Sequence, residues 1–213
     1  MRATWTNRLT VGGRRAPQAR RGRGFDRGRE ATGAGRAGGQ PRAARVIGYH
    51  GQAMPISVGD RIPDAPLTAV TAAGPTQTTS REVFDGKKVV LFSVPGAFTP
   101  TCNNQHLPGY LAQHDALKAK GVATIVCLAV NDVHVVSAWA KANDVGDRIL
   151  MLADGNGDFA RALGLDSDLT KFNMGTRARR SSMVVENGIV KDVNLEVPGK
   201  LEVSTAEATL CQL

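Results

Sequence analysis

The 213-residue chain predicts an α/β fold with a central mixed β-sheet flanked by α-helices. Three observations carry that expectation. Residues 87–94 (KKVVLFSV) and 122–130 (VATIVCLAV) are short, apolar, β-branched runs bounded by turn residues, the mark of strands buried on both faces. Each is followed by a stretch with helical spacing, as a parallel crossover requires. Residues 182–185 and 189–193 flank Asn187-Gly188, a strong two-residue hairpin signal that adds antiparallel pairing.

Taken in order, residues 55–67 read as extended and proline-punctuated, and residues 69–79 as a polar, turn-rich stretch. Ser80 is placed to cap a short helical turn ending before Gly86. Strand 87–94 is broken by Pro95-Gly96. Residues 102–120 have helical spacing, with Leu107, Tyr110, Leu111, His114 and Leu117 near one face, and Gly121 stops the helix. After strand 122–130, Asp132 caps a helix over 133–143 that turns Val136, Trp139 and Ala140 inward. A short strand over 149–152, a turn at Asp154-Gly155-Asn156-Gly157 and a helix through Phe159, Leu163 and Leu165 follow. The hairpin and a terminal helix over 204–210 close the chain. This order makes a thioredoxin-like α/β sandwich the candidate arrangement. No internal repeat is visible.

The formal charge of +8 is unevenly placed. Residues 1–53 hold 12 Arg, no Lys, and the two acids Asp26 and Glu30, whereas residues 54–213 hold 15 basic and 17 acidic residues. The first segment also holds 11 of the 24 glycines, lacks apolar periodicity and reads as disordered. Three explanations fit it: a transit peptide, though no amphipathic stretch is evident; a nucleic-acid-binding arm, though aromatic interleaving is missing; or upstream sequence before a natural start at Met54. Two domains are therefore expected, an Arg/Gly-rich extension over 1–53 and a folded domain over 54–213. A nucleic-acid role is not expected of the mildly acidic folded part. No apolar run approaches the roughly 18 residues a spanning helix needs, so no membrane partner is expected.

Cys102, Cys127 and Cys211 are too few and too far apart for a disulfide scaffold. No CxxC and no Cys/His cluster of zinc spacing occurs, so no metal is expected. Thiols used singly fit a reducing compartment. The cytoplasm is the expected location, with a mitochondrion or plastid as the alternative if residues 1–53 are a transit peptide.

Most information lies in Pro95-Gly96-Ala97-Phe98-Thr99-Pro100-Thr101-Cys102, where a buried strand gives way to a Pro/Gly loop and a cysteine opens a helix. The unpaired N–H groups and partial positive charge of a first helical turn favour a thiolate, which is the nucleophilic form. Thr99, three residues before the cysteine, can turn its hydroxyl toward the sulfur. Pro95 and Pro100 stiffen the loop. A lone cysteine is otherwise a small buried hydrophobe, which needs neither the threonine nor the elbow.

Pro95-x-x-x-Thr99-x-x-Cys102 resembles the active-site pattern of the peroxiredoxins. The longer string VPGAFTPTC, followed by His106-Leu107-Pro108-Gly109-Tyr110, is similar to the type II, or peroxiredoxin-five-like, subfamily. Cys127-Leu128-Ala129-Val130-Asn131-Asp132, Trp139, residues 150–154 and Arg180-Ser181-Ser182-Met183-Val184-Val185 extend the likeness over about residues 55–213. The resemblance implies a thioredoxin-like fold, a homodimer and no metal or organic cofactor. It makes Cys102 the peroxidatic cysteine, with Thr99, Pro95 and Arg180 completing the site. Arg180 would stabilise the thiolate and the charge on the leaving oxygen; its bland alternative is a surface cluster with Arg177 and Arg179. His106 reads as a packed, hydrogen-bonded histidine, and Trp139 and Phe98 as core or pocket wall. Val203 stands where some members carry a resolving cysteine, and Cys211 reads as a helix residue without a role.

The implied reaction is reduction of hydrogen peroxide or small organic hydroperoxides through a sulfenic acid on Cys102. Glutathione with glutaredoxin, or thioredoxin, would regenerate the thiol. Two rivals share the fold. A thiol–disulfide oxidoreductase would want CxxC, and Cys102 is followed by Asn103, Asn104 and Gln105. A non-enzymatic binding module would need neither Thr99 nor Arg180.

Overall fold

The computed structural model describes residues 54–213, so the expectations for residues 1–53 lie outside the described residues. In chain order the elements are β1 (Pro66–Thr71), β2 (Gly74–Thr79), α1 (Ser80–Phe84), β3 (Lys88–Val94), a π-helical turn (Cys102–His106), α2 (Leu107–Ala112), α3 (His114–Ala119), β4 (Thr124–Ala129) and α4 (Val133–Ala142). Then come β5 (Leu150–Ala153), α5 (Asp158–Ala162), β6 (Asp166–Asp168), a single 3-10 turn (Thr170–Phe172), β7 (Thr176–Ala178), β8 (Ser181–Glu186), β9 (Ile189–Leu195) and α6 (Ala206–Leu210).

The apolar runs read from the sequence form the middle of a seven-stranded sheet of order β2-β1-β5-β4-β3-β8-β9. β3, β4 and β5 are parallel, while β1 and β8 pair antiparallel to β5 and β3, so the sheet is mixed as expected. Side chains on β3 and β4 divide strictly between its two faces. Val90, Phe92, Val94, Ile125, Cys127 and Ala129 join one core with Leu107, Tyr110, Val136 and Trp139. Val89, Leu91, Val126 and Leu128 join the other, with Phe84, Phe159 and Leu163. Burial on both faces is why these strands read as unbroken apolar runs.

Three expectations need correction. Residues 69–79 belong to an antiparallel hairpin, paired from Pro66↔Thr79 to Thr71↔Gly74, rather than to irregular turns. Its second strand, GPTQTT, is a sheet edge with no buried residue, so backbone pairing alone marks it. Thr79, not Ser80, caps α1, in a capping box with Glu82. The Ser80 hydroxyl is turned inward instead, donating to Pro63 C=O and accepting from Ala65 N–H. Finally, the helix expected over 102–120 starts at Pro100, widens into the π turn and breaks at Gln113 between α2 and α3.

Candidate active site

The loop between β3 and the π turn carries two of the four residues singled out from the sequence, Pro95 and Thr99, and the π turn opens on a third, Cys102. Gly96 lets the loop pack closely: a Cβ would meet Thr99 Cγ2 at 3.2 Å and Met174 Cε at 3.4 Å. Ala97 N–H donates to Asn131 Oδ1 at 3.0 Å, tying the loop to the end of β4. Phe98 holds a left-handed backbone (φ 60°), a conformation uncommon outside glycine and concentrated at functional sites. Thr99 then turns the chain into the helix, its C=O accepting from Asn103 N–H at 2.8 Å and its hydroxyl donating to Gly96 C=O at 2.9 Å. With that hydrogen committed, the Thr99 oxygen keeps lone pairs for an incoming O–H.

Cys102 sits in the third position of the helix and is fully buried. The helix widens at this residue, with Leu107 N–H reaching back five positions to Cys102 C=O. Such π turns are rare and concentrate at functional sites. Trp139 Nε1 donates to Asn103 Oδ1 at 2.8 Å, and Asn143 Nδ2 does so at 3.1 Å, so α4 clamps the turn.

Arg180 arrives from the far side, immediately before β8. Ser93 of β3 pairs with Ser181, and their hydroxyls lie 2.6 Å apart inside the sheet, which fixes the position of the preceding arginine. Arg180 Nη2 donates to Cys102 Sγ at 3.4 Å, and Nη1 lies 3.0 Å from His106 Nδ1. The other ring nitrogen of His106, Nε2, lies 2.9 Å from Ser204 C=O. A carbonyl only accepts, so Nε2 carries the proton and Nδ1 accepts from the guanidinium. Burial is the main reason the His106 pKa falls from 6.5 to about 4, so the ring is neutral at physiological pH. His106, Tyr110 and Phe92 form an aromatic cluster, the tyrosine ring stacked on Phe92 at 4.0 Å.

Arg180 meets Cys102 and shares a cavity wall with Pro95, and Thr99 opens the turn that bears Cys102, but several neighbours differ from expectation. Arg177 is no solvated charge: its Nε donates to Met174 C=O at 2.7 Å and its Nη1 to Val130 C=O at 3.0 Å. Phe98 is 50% exposed, whereas Trp139 is in the core as expected. Cys127 lies on the buried sheet face and in the same apolar core as Cys102, and burial pushes its thiol pKa well above the ordinary 9.0, with Cys102 adding to the effect. Cys211 is exposed just past α6. Asn103, Asn131 and Ser204 were not legible as site residues, because each acts through hydrogen bonds to partners distant in sequence. Beside the site, a cavity of about 500 Å³ is lined by Pro95, Arg179, Arg180, Leu169, Phe172 and Val197, among others. Among the described residues no cluster suited to a metal ion occurs.

A mixed sheet of this order, with a cysteine near the head of the helix that follows its first parallel strand, β3, defines a thioredoxin-like thiol protein. The redoxin family matches residues 57–210. The chain is 45% identical over 160 residues to the chloroplastic peroxiredoxin-2E-2 of Oryza sativa subsp. japonica, covering 73% of this chain and 71% of that relative. It is 45% identical over 157 residues to peroxiredoxin-2C of the same species, covering 97% of it. Among solved structures, reduced Prx3 of Vibrio vulnificus in complex with H2O2 superposes with a TM-score of 0.70 at 47% identity, over 73% of this chain and 98% of that one. Peroxiredoxin 5 of Alvinella pompejana gives a TM-score of 0.66 at 40% identity, over 74% and 97% of the two chains. The chain belongs to the redoxin family and, within it, to the peroxiredoxins, which are thiol peroxidases.

Proposed function

We propose that Cys102 is the peroxidatic thiol of this peroxidase and that Arg180, Thr99 and Pro95 complete its site. The observation that carries this reading is the Arg180 guanidinium, which spans Cys102 Sγ at 3.4 Å and His106 Nδ1 at 3.0 Å. A guanidinium on the sulfur favours the thiolate and faces the charge that develops on the leaving oxygen. The thiolate attacks the terminal oxygen of the peroxide. The S–O bond forms, the O–O bond breaks, and the sulfur is oxidised by two electrons to sulfenic acid. The departing hydroxide or alkoxide takes a proton from water and leaves as water or alcohol. Thr99 accepts from the peroxide O–H through its free lone pairs, and Pro95 shapes the wall without adding an N–H that would need a partner.

Hydrogen peroxide and small organic hydroperoxides are the substrates in this reading. The cavity of about 500 Å³ beside Pro95 and Arg180, with Leu169, Phe172 and Val197 on its wall, leaves room for an alkyl group. Glutathione supplies the reducing equivalents. Its thiol condenses with the sulfenic acid, releasing water, and glutaredoxin or a second thiol frees Cys102 from the mixed disulfide; thioredoxin is the alternative reductant. The enzyme acts as a homodimer in the cytoplasm, with a plastid or mitochondrion as the alternative, since relatives in this family include chloroplastic proteins.

The test is peroxide consumption with glutathione plus glutaredoxin, or with thioredoxin, for the parent and for Cys102→Ser. The serine is near-isosteric, so the variant keeps its fold and loses turnover. Turnover above a trace in that variant would remove Cys102 from the nucleophile's role.

A further inference from the structure

Glu196 stands just past β9 and is 5% exposed. A single oxygen, Oε1, accepts four hydrogen bonds: from the N–H groups of Glu202, Val203 and Ser204 at 2.7, 2.8 and 2.8 Å, and from the Ser204 hydroxyl at 2.9 Å. Burial alone would push this carboxyl up, but those bonds hold it below its ordinary value of 4.5, so it is ionised at neutral pH. The segment between β9 and α6 has no regular structure of its own, and the carboxylate closes it into a loop. The loop ends in the Ser204 carbonyl, which accepts from His106 Nε2 at 2.9 Å and from the Tyr110 hydroxyl at 3.1 Å. His106 Nδ1 in turn meets Arg180 Nη1. A second link is direct: Glu196 N–H donates to the Arg180 carbonyl at 3.1 Å.

We infer that Glu196 is a positioning residue for the reaction at Cys102. Its carboxylate holds Arg180 through the Ser204–His106 relay to the guanidinium, while its backbone N–H adds a tie to the arginine's carbonyl that does not depend on the side chain. The inference rests on Arg180 acting as proposed above. Without the carboxylate, three N–H groups and a hydroxyl lose their common acceptor, the Ser204 carbonyl shifts, and the imidazole no longer presents Nδ1 to the guanidinium.

The experiment compares E196A, E196Q, R180M and the E196A/R180M double variant in the full chain. Two rates are measured at Cys102 across pH, so that both refer to the thiolate alone: oxidation by hydrogen peroxide, followed by quenched mass spectrometry, and alkylation by iodoacetamide, which has no leaving oxygen for Arg180 to stabilise. A guanidinium displaced by a fraction of an ångström slows oxidation in E196A by about ten- to a hundredfold, with a much smaller change in alkylation. E196Q keeps an acceptor oxygen and recovers most of the loss. The double variant is no slower than R180M alone, because both changes remove one interaction. Where E196A does not fold, E196D carries the test, since it keeps the charge, shortens the reach and produces the same selective loss. Equal slowing of oxidation and alkylation, or full additivity with R180M, would overturn the inference alone. An R180M rate equal to the parent's would sink the reading of Arg180 and this inference with it.

Discussion

Arg177 and Arg180 stand three positions apart in one basic cluster, and only their hydrogen bonds separate them. Arg177 is spent on the carbonyls of Met174 and Val130, which pins β7 to the end of β4. Arg180 is spent on the sulfur and His106. Arg180→Met is therefore expected to slow peroxide oxidation of Cys102 by about a hundredfold, the usual loss when one donor to a developing anion is removed. Arg177→Met leaves two carbonyls without their donor and lowers stability by about 1–3 kcal/mol, with a far smaller effect on rate. Stopped-flow oxidation and urea midpoints of the two variants check the contrast; comparable rate losses would contradict it. The cysteines divide in a similar way. Cys127 is buried and its thiol pKa is raised, whereas Cys211 is exposed. After one equivalent of peroxide with glutathione, intact mass should show one glutathione on Cys102, with Cys127 still a free thiol. A quantitative loss of two hydrogens mapped to a Cys102–Cys127 or Cys102–Cys211 link would replace external resolution by an internal disulfide. These residue-scale distinctions were only partly legible. The P-x-x-x-T-x-x-C string pointed to Cys102, the proposed nucleophile, but the partner of each arginine is set by folds of the chain many residues away.

At the scale of elements, β3 and β4 were legible because both faces are buried, while the edge strand β2 was not, because nothing on it is buried. The π turn was hidden for another reason: helical periodicity is the same to within a residue whether a turn closes at four or five. Its effect is local and chemical, since Cys102 and His106 both reach Arg180 from this turn. The buried imidazole also predicts acid sensitivity. Its folded pKa of about 4 lies below the ordinary 6.5, so at intermediate pH the unfolded chain binds a proton that the folded protein does not. Stability therefore falls as pH drops through 6.5 and stops falling from this source near 4. Between about pH 7 and 5 the loss is about 2 kcal/mol at ~1.4 kcal/mol per pH unit. Glu196, whose carboxyl is held below its ordinary 4.5, contributes only at more acid pH. Urea titrations of the parent and of His106→Gln across this range test the assignment. A slope that survives in His106→Gln would place the titrating group elsewhere.

For the whole molecule, we propose a domain boundary near Met54, where the charge partition falls. Residues 1–53 are strongly basic and the remainder is close to neutral, and the redoxin match begins at residue 57. The first described residues are built into the domain. Ile56 N–H donates to Leu163 C=O at 2.8 Å, and Gly59 N–H to Val190 C=O at 2.9 Å. Gly164 leaves so little room that a Cβ would fall 2.5 Å from Met54 C=O and 2.9 Å from Pro55 Cα. Ile56 and Ile62 fill the core face that α5 covers. A chain begun at Met54 keeps every one of these contacts, and its peroxidase turnover and Tm should match those of the full chain. A chain begun at Asp60 loses the bonds of Ile56 and Gly59 and uncovers the apolar surface beneath Ile56. Removing that side chain and two backbone bonds costs about 2–5 kcal/mol, enough to lower Tm by about 4–15 °C in a domain of this size. The two truncations, compared by calorimetry and by turnover, locate the boundary. Loss of activity at Met54 would make residues 1–53 part of the working domain, and an unchanged Tm at Asp60 would move the boundary inward.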